Sequence, residues 1–219
     1  MSDCTSQLDE SNVDATIRDQ VRFFEIIGQD FEWKLYSYDP PADLKERLGS
    51  YGFTIEEAEA IMVLDLADAP EIFWQPGDQD VRQITDPERL VDVLPVQQQV
   101  WEEDFSSLIE YLGETLRKYP ERMSIYVAYV NGQPASAAWT YLPKHSQFAS
   151  LWGGSTVSGF RKQGLYRALL AVRAQEARAR WVKYLTVDAS PMSHRILEKY
   201  GFEMIAYSYP CKWKRPSQG

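Results

Sequence analysis

Arg161-Lys162-Gln163-Gly164-Leu165-Tyr166 decides how this chain is read. The strand-like run Ser150 to Val157 leads into it, and the strongest helical stretch, Leu165 to Arg180, comes directly after. A strand that passes through a short basic turn into a helix builds a place for an anion. The first N–H groups of a helix lack intrahelical partners, and the macrodipole gathers partial positive charge there. Gly164 admits main chain close to a bulky anion where a Cβ would intrude. Arg161, Lys162 and Arg167 add full charges around it. A phosphate or diphosphate suits such a turn, and a solvated basic loop is the plain alternative. The turn matches neither G-x-x-x-x-G-K-[ST] nor G-x-G-x-x-G, so neither a P-loop nor a dinucleotide fold is implied.

The residues beyond the turn favour the anion site. Tyr184 to Ala189 is a short apolar strand, Ser190-Pro191 a turn, and Met192 to Gly201 a helix ending in glycine. Phe202 opens another strand, running to about Trp213. From the glycine turn onward this order resembles the GCN5-related N-acetyltransferase superfamily. The resemblance rests on Arg161, Gln163 and Gly164 in the turn, and on Glu198, Lys199, Gly201 and Phe202 in a closing E-K-x-G-F. It is specific from about Leu151 to Phe202 and extends in outline back to Val81.

The resemblance implies an α/β (α+β) fold with a mixed, mostly antiparallel central sheet flanked by helices. It implies acetyl-CoA as co-substrate, its diphosphate held by Arg161, Lys162, Gln163, Gly164, Leu165, Tyr166 and Arg167. In that family the strand before the turn splays from its neighbour and pairs with the pantetheine amides. Here that edge is Ser155, Thr156 and Val157, with Gly153 and Gly154 marking a bend or bulge, while Val157 also reads as plain core. The implied activity is transfer of an acetyl group to a primary amine of a small molecule or peptide, by direct attack on the thioester. A non-catalytic acyl-CoA sensor or scaffold of the same fold is the rival. Two departures motivate it: Tyr166 stands where the family usually has glycine or alanine, and Leu197 where many members carry the tyrosine that protonates the departing thiolate. Tyr200, nearby on the same helix, reads as a packing residue.

No general acid or base is assigned. Asp188 ends a strand where the acceptor would lie, but an aspartate there also serves as a turn or cap residue. Trp101, Glu103 and Asp104 lie between two predicted helices, where carboxylates beside an aromatic suit a cationic acceptor. Asp104 equally reads as a helix cap. His145, His194, Cys4 and Cys211 form no metal-ligand spacing, so no metal is expected.

Charge agrees with a polyanionic ligand. From Leu151 onward there are 12 Lys and Arg against 4 Asp and Glu, whereas the first 150 residues hold 11 against 28. The basic part suits CoA, and the acidic part suits a cation or serves solubility. Nucleic acid fits poorly, since no interleaved aromatic stacking motif accompanies the basic residues. The chain has no run of about 18 apolar residues and no basic, apolar leader at Met1, so a cytoplasmic protein with reduced thiols is expected, with no membrane partner. Oligomeric state is left open.

Along the chain, residues 1–13 read as a polar tail and Val13 to Ile27 as a helix stopped by Gly28. Phe31 to Tyr38 reads as a strand, Ala42 to Leu48 and Ile55 to Ala60 as short helices, and Ile61 to Leu66 as an apolar run. The Pro-, Gly- and Asp-rich stretch 68–80 is the expected linker between a lobe at 14–67 and the acetyltransferase-like domain at 81–215. Within that domain Val81 to Ile84 reads as a strand, followed by helices at Pro87 to Trp101 and Phe105 to Tyr119. A hairpin turned by Asn131-Gly132 comes next, then a strand from Gln147 to Val157. Lys34 to Phe53 also aligns without a gap on Lys183 to Phe202, placing Tyr51-Gly52-Phe53 on Tyr200-Gly201-Phe202. Either any strand–helix–strand unit needs these residues, or 14–67 is a partial second lobe that lacks the glycine turn.

Overall fold

The computed structural model describes residues 7–75, 77–101 and 104–215. They form two compact units. The larger holds Val63–Val187 and Ile196–Glu203; the smaller holds the chain up to Met62, Asp188–Arg195 and the chain from Met204. The stretch 68–80, expected as a linker, falls within the larger unit, where Glu71–Trp74 makes a 3-10 turn. Gln175 donates to Phe73 O, and the Arg178 guanidinium lies 3.5 Å over the Trp74 ring, tying that turn to the neighbouring helix.

In the larger unit the sheet runs in the order β8 (Tyr184–Ala189, of which the larger unit holds the part up to Val187), β7 (Phe148–Thr156), β6 (Gln133–Tyr141), β5 (Met123–Val130), β4 (Asp80–Ile84). Every pair is antiparallel except β7 with β8, so the sheet is mixed and mostly antiparallel. Between β5 and β6, Asn131 and Gly132 both have positive φ, 51° and 78°, the pairing a two-residue hairpin requires. Alternate residues of these strands feed two cores. Val127, Tyr129, Ala137 and Trp139 face Val93, Val96, Leu112 and Leu116, which come from α3 (Leu94–Trp101), α4 (Ser106–Lys118) and the turn before them. On the other face Ala128, Ala135 and Ala138 meet Leu165 and Leu169 of α5 (Leu165–Ala179). Alanines there bring α5 close to the sheet, as dense packing demands.

The smaller unit contains α1 (Val13–Ile27), β1 (Phe31–Tyr36), α2 (Leu44–Ser50) and β2 (Thr54–Ile55). Both strands pair antiparallel with β9 (Glu203–Trp213), which begins at the last residue of the larger unit. Gly28 ends α1 in the left-handed conformation, as its position foretold. Val13, Ile17, Leu44, Leu48, Phe53 and Trp213 close the core.

Two expected helices are corrected. Ile55 to Ala60 is not helical: Ile55 belongs to β2, and Glu59–Asp65 forms strand β3. Buried Ala60, Met62 and Leu64 alternate with half-buried neighbours, so a period of two overrides the helix propensity of the acidic run. The stretch from Pro87 to Trp101 divides into a 3-10 turn over Pro87–Asp92 and the α-helix α3. Pro95 has no N–H for a carbonyl one turn earlier, so α3 starts afresh there.

Candidate functional site

The glycine turn joins β7 to α5 in the larger unit. After Thr156 come Val157 and a 3-10 turn over Ser158–Phe160; Arg161 is then extended, Lys162 has φ 63°, and Gly164 caps α5 with φ 82°. Left-handed residues so close together turn successive N–H groups toward one side, the geometry of an anion nest. No side chain caps α5, so the N–H groups of Leu165, Tyr166 and Arg167 keep the freedom that the helix start gives them. Arg161, Lys162 and Gln163 are exposed, and Arg167 reaches back to within 3.6 Å of where a Cβ on Gly164 would sit. Gln79 lies 3.5 Å from the same point.

Upstream, β7 leaves its parallel neighbour. Pairing with β8 covers Phe148 to Ser150 and stops at Ser150 with Thr186. From Leu151 to Thr156 the β8-facing edge carries no ladder among the described residues, while β6 pairs along the other edge. Between Ala137 and Trp139 the register slips by one residue, since Ser155 faces Ala137 and Trp152 faces Trp139. The extra residue is the bulge expected at Gly153 and Gly154. Gly153 has φ 62°, and the Trp139 ring occupies the place of its missing Cβ. On the opposite face the Tyr166 ring fills the space beside Gly154, 3.1 Å from its ideal Cβ.

The bulge is held by a polar lattice. Gln97 Nε2 donates to Gly153 O at 3.0 Å, Ser155 Oγ donates to Gln97 Oε1 at 3.1 Å, and Trp101 Nε1 donates to Ser155 Oγ at 3.0 Å. Ser136 Oγ donates to Ser155 O at 2.7 Å, and Arg161 Nε donates to Thr156 O at 3.2 Å. Val157 donates its N–H to Ala135 O, and its side chain packs on the core, in line with its reading as a core residue.

The remaining expected residues are dispersed. Trp101 keeps its indole N–H on Ser155 while 56% of its surface is exposed. Asp104 accepts from the Ser106 N–H at 2.9 Å and the Ser106 hydroxyl at 2.6 Å, bonds that hold its carboxyl below the usual range; it lies one residue ahead of Phe105, the N-cap of α4. Glu103 lies outside the described residues. Asp188, in the smaller unit, is ion-paired with Lys34. Burial pushes the Lys34 ammonium down, against the pull of Glu59 and Glu32.

Three side chains carry geometry that the sequence concealed. Gln97 sits in a run of three glutamines with nothing to single it out. Tyr166 reads in the sequence as a turn residue, yet its ring lies against the bulge. Arg173 is 2% exposed, with Nε on Leu169 O at 3.0 Å and Nη1 3.5 Å from Trp139 O. Its place in the four-residue series Leu165, Leu169, Arg173, Ala177 was the available signal, a charge on an apolar stripe. It makes no salt bridge among the described residues, and burial pulls the guanidinium down to about 10. Tyr166 is pushed up by burial, with Arg173 opposing and Tyr200 adding to the rise. Tyr200 rests on Phe73 with ring centroids 5.5 Å apart, consistent with packing. No cluster of metal-ligating side chains occurs among the described residues, and no described helix is long and apolar enough to cross a membrane.

No protein-family model matches the sequence, and no curated protein does either. Solved structures do. A GCN5-related N-acetyltransferase from Kribbella flavida is similar with TM-score 0.71 at 17% identity, over 95% of this chain and 77% of that one. Another from Sphaerobacter thermophilus gives 0.67 at 13% identity, over 94% of this chain and 70% of that one. AAC(6')-Iy, in complex with the bisubstrate analogue CoA-S-monomethyl-acetylneamine, gives 0.50 at 20% identity over 58% of this chain and 92% of that one. The fold is that of the GCN5-related N-acetyltransferases.

Proposed function

We propose that the chain is an N-acyltransferase that takes an acetyl group from acetyl-CoA and delivers it to a primary amine. The observation that carries this is the β7 edge from Leu151 to Thr156, which pairs with no strand on its β8 side among the described residues and leads into a turn that opens α5 with no described side chain capping its first N–H groups. An amide-bearing arm ending in a diphosphate is complementary to that pair of features. The residues fit it: Gly164 carries no side chain over the turn, Arg161, Lys162 and Arg167 supply charge, and the lattice on Gly153 and Ser155 keeps the edge from relaxing. Similar structures include one holding a CoA bisubstrate analogue.

In this reading the N–H groups of Gln163 to Arg167 bind the diphosphate, and Ser155, Thr156 and Val157 align the pantetheine amides. The amine attacks the thioester carbonyl, and what the chain supplies is alignment, worth several orders of magnitude in rate. Trp101, with Glu103 and Asp104 nearby in sequence, forms the acceptor side in this proposal, and an acidic first half suits a cationic acceptor.

Calorimetric titration with acetyl-CoA tests the reading; no saturable binding at millimolar ligand overturns it. Thiol release with a panel of primary amines then separates an enzyme from a sensor. Leu197, fully buried where many family members carry a tyrosine, is the observation that keeps the sensor as the alternative outcome.

A further inference from the structure

Resting on that function, we propose that Tyr166 donates the proton to the departing thiolate, with the buried Arg173 stabilising the phenolate it leaves. The placement of the ring is the first observation. An arm bound at the turn and running back along Val157, Thr156 and Ser155 covers about 10 Å of strand and brings its sulfur to the bulge. There the Tyr166 ring lies against Gly154, its Cε2 3.1 Å and its Cζ 4.0 Å from the ideal Cβ of that glycine. The residue is half-buried, and its hydroxyl makes no hydrogen bond among the described residues. A tyrosine pressed on a strand by its ring alone leaves its O–H available to a ligand.

Arg173 is the second observation. Two turns further along α5, it is a fully buried cation with no carboxylate partner among the described residues, bonded to main-chain oxygens. Charges of this kind are costly unless something negative compensates them, and negative charge develops here when a phenol gives up its proton. Tyr126, which packs on the same core as Leu165 and Leu169 of α5, donates its O–H to Glu176 at 3.1 Å and is unavailable. Burial raises Tyr166, so it stays protonated near neutrality, as a donor must.

The step balances. The amine lone pair forms the C–N bond, the C–S bond breaks with its electron pair going to sulfur, and the Tyr166 proton moves to that sulfur. The phenolate recovers a proton from the acylated nitrogen through water, and free thiol and amide leave.

The test uses the full chain with acetyl-CoA and CoA as probes. Calorimetry on wild type and Tyr166→Phe, which keeps the ring beside Gly154 and the N–H in the turn, should show both proteins binding, the variant weaker by no more than about ten-fold, the worth of one hydrogen bond. Bound CoA is then titrated by the ultraviolet absorbance of its thiolate. A hydroxyl aimed at sulfur favours the thiolate, so the variant should raise the bound thiol pKa by about one unit. It should also slow amine-dependent thiol release on the order of 100-fold. Uniform replacement of tyrosine by 3-fluorotyrosine, a more acidic phenol, should lower the bound thiol pKa without disturbing packing. An unchanged thiol pKa in both proteins overturns the role of Tyr166. Failure of wild type to bind CoA at all overturns the function on which it rests, a different result from the same titration.

Discussion

Gly153 shows how a missing side chain shapes a strand. Its φ of 62° is one that side chains seldom accept, and the Trp139 ring stands where a Cβ would go. Gly153→Ala therefore meets both backbone strain and a ring it cannot share space with. We expect a loss of about 2–4 kcal/mol, read by urea denaturation, and an unchanged midpoint would show that the bulge is soft. Gly164 differs, because a Cβ there meets only ordinary contacts at 3.5 Å or more, leaving φ and charge as the objections. Gly164→Glu sets a carboxylate among the N–H groups of the turn. The expected weakening of acetyl-CoA binding is about 2–3 kcal/mol, roughly 30- to 150-fold, by calorimetry. Unaltered affinity would move the anion elsewhere. Gly164 was legible from its neighbours in the sequence, whereas the partner of Gly153 was not, since Trp139 is reached across the β6–β7 register.

At the scale of elements, α2 and α6 (Pro191–Glu198) end alike. Phe53 N–H bonds Leu48 O at 3.2 Å, and Phe202 N–H bonds Leu197 O at 3.2 Å. Gly52 and Gly201 take φ of 88° and 84°, and both phenylalanines are buried. The internal echo at an offset of 149 residues is thus a shared way of stopping a helix and starting a strand. Added Cβ atoms find open space at Gly52 and ordinary contact at Gly201. Gly52→Ala and Gly201→Ala should each cost about 1 kcal/mol in thermal or urea unfolding, the left-handed penalty alone. Values differing by more than two-fold would mean that one stop carries strain the other lacks. The helix forecast for Ile55 to Ala60 failed at this same scale. Its residues favour a helix locally, and pairing with β9 overrides that preference.

For the whole molecule, charge is the property that reaches furthest. The chain is acidic at −9, yet from Leu151 onward cations outnumber anions by 12 to 4. A diphosphate held near Arg161, Lys162 and Arg167 should feel that imbalance. Acetyl-CoA affinity should fall about three- to ten-fold as salt rises from about 0.05 to 0.5 M, because the Debye length contracts to a few ångströms. Affinity indifferent to salt would place the ligand away from the basic turn.

The amino-acid pattern alone determined the order of strands and helices around the turn, the hairpin at Asn131-Gly132 and the bend at Gly153 and Gly154, because each depends on residues adjacent in the chain. Tertiary structure decided the rest. It parted β7 from β8 after Ser150, bound Asp188 to Lys34, set Gln97 on the bulge, and laid Tyr166 against Gly154. Those relations join residues on different elements, and their energies exist only once the fold brings the partners within bonding distance.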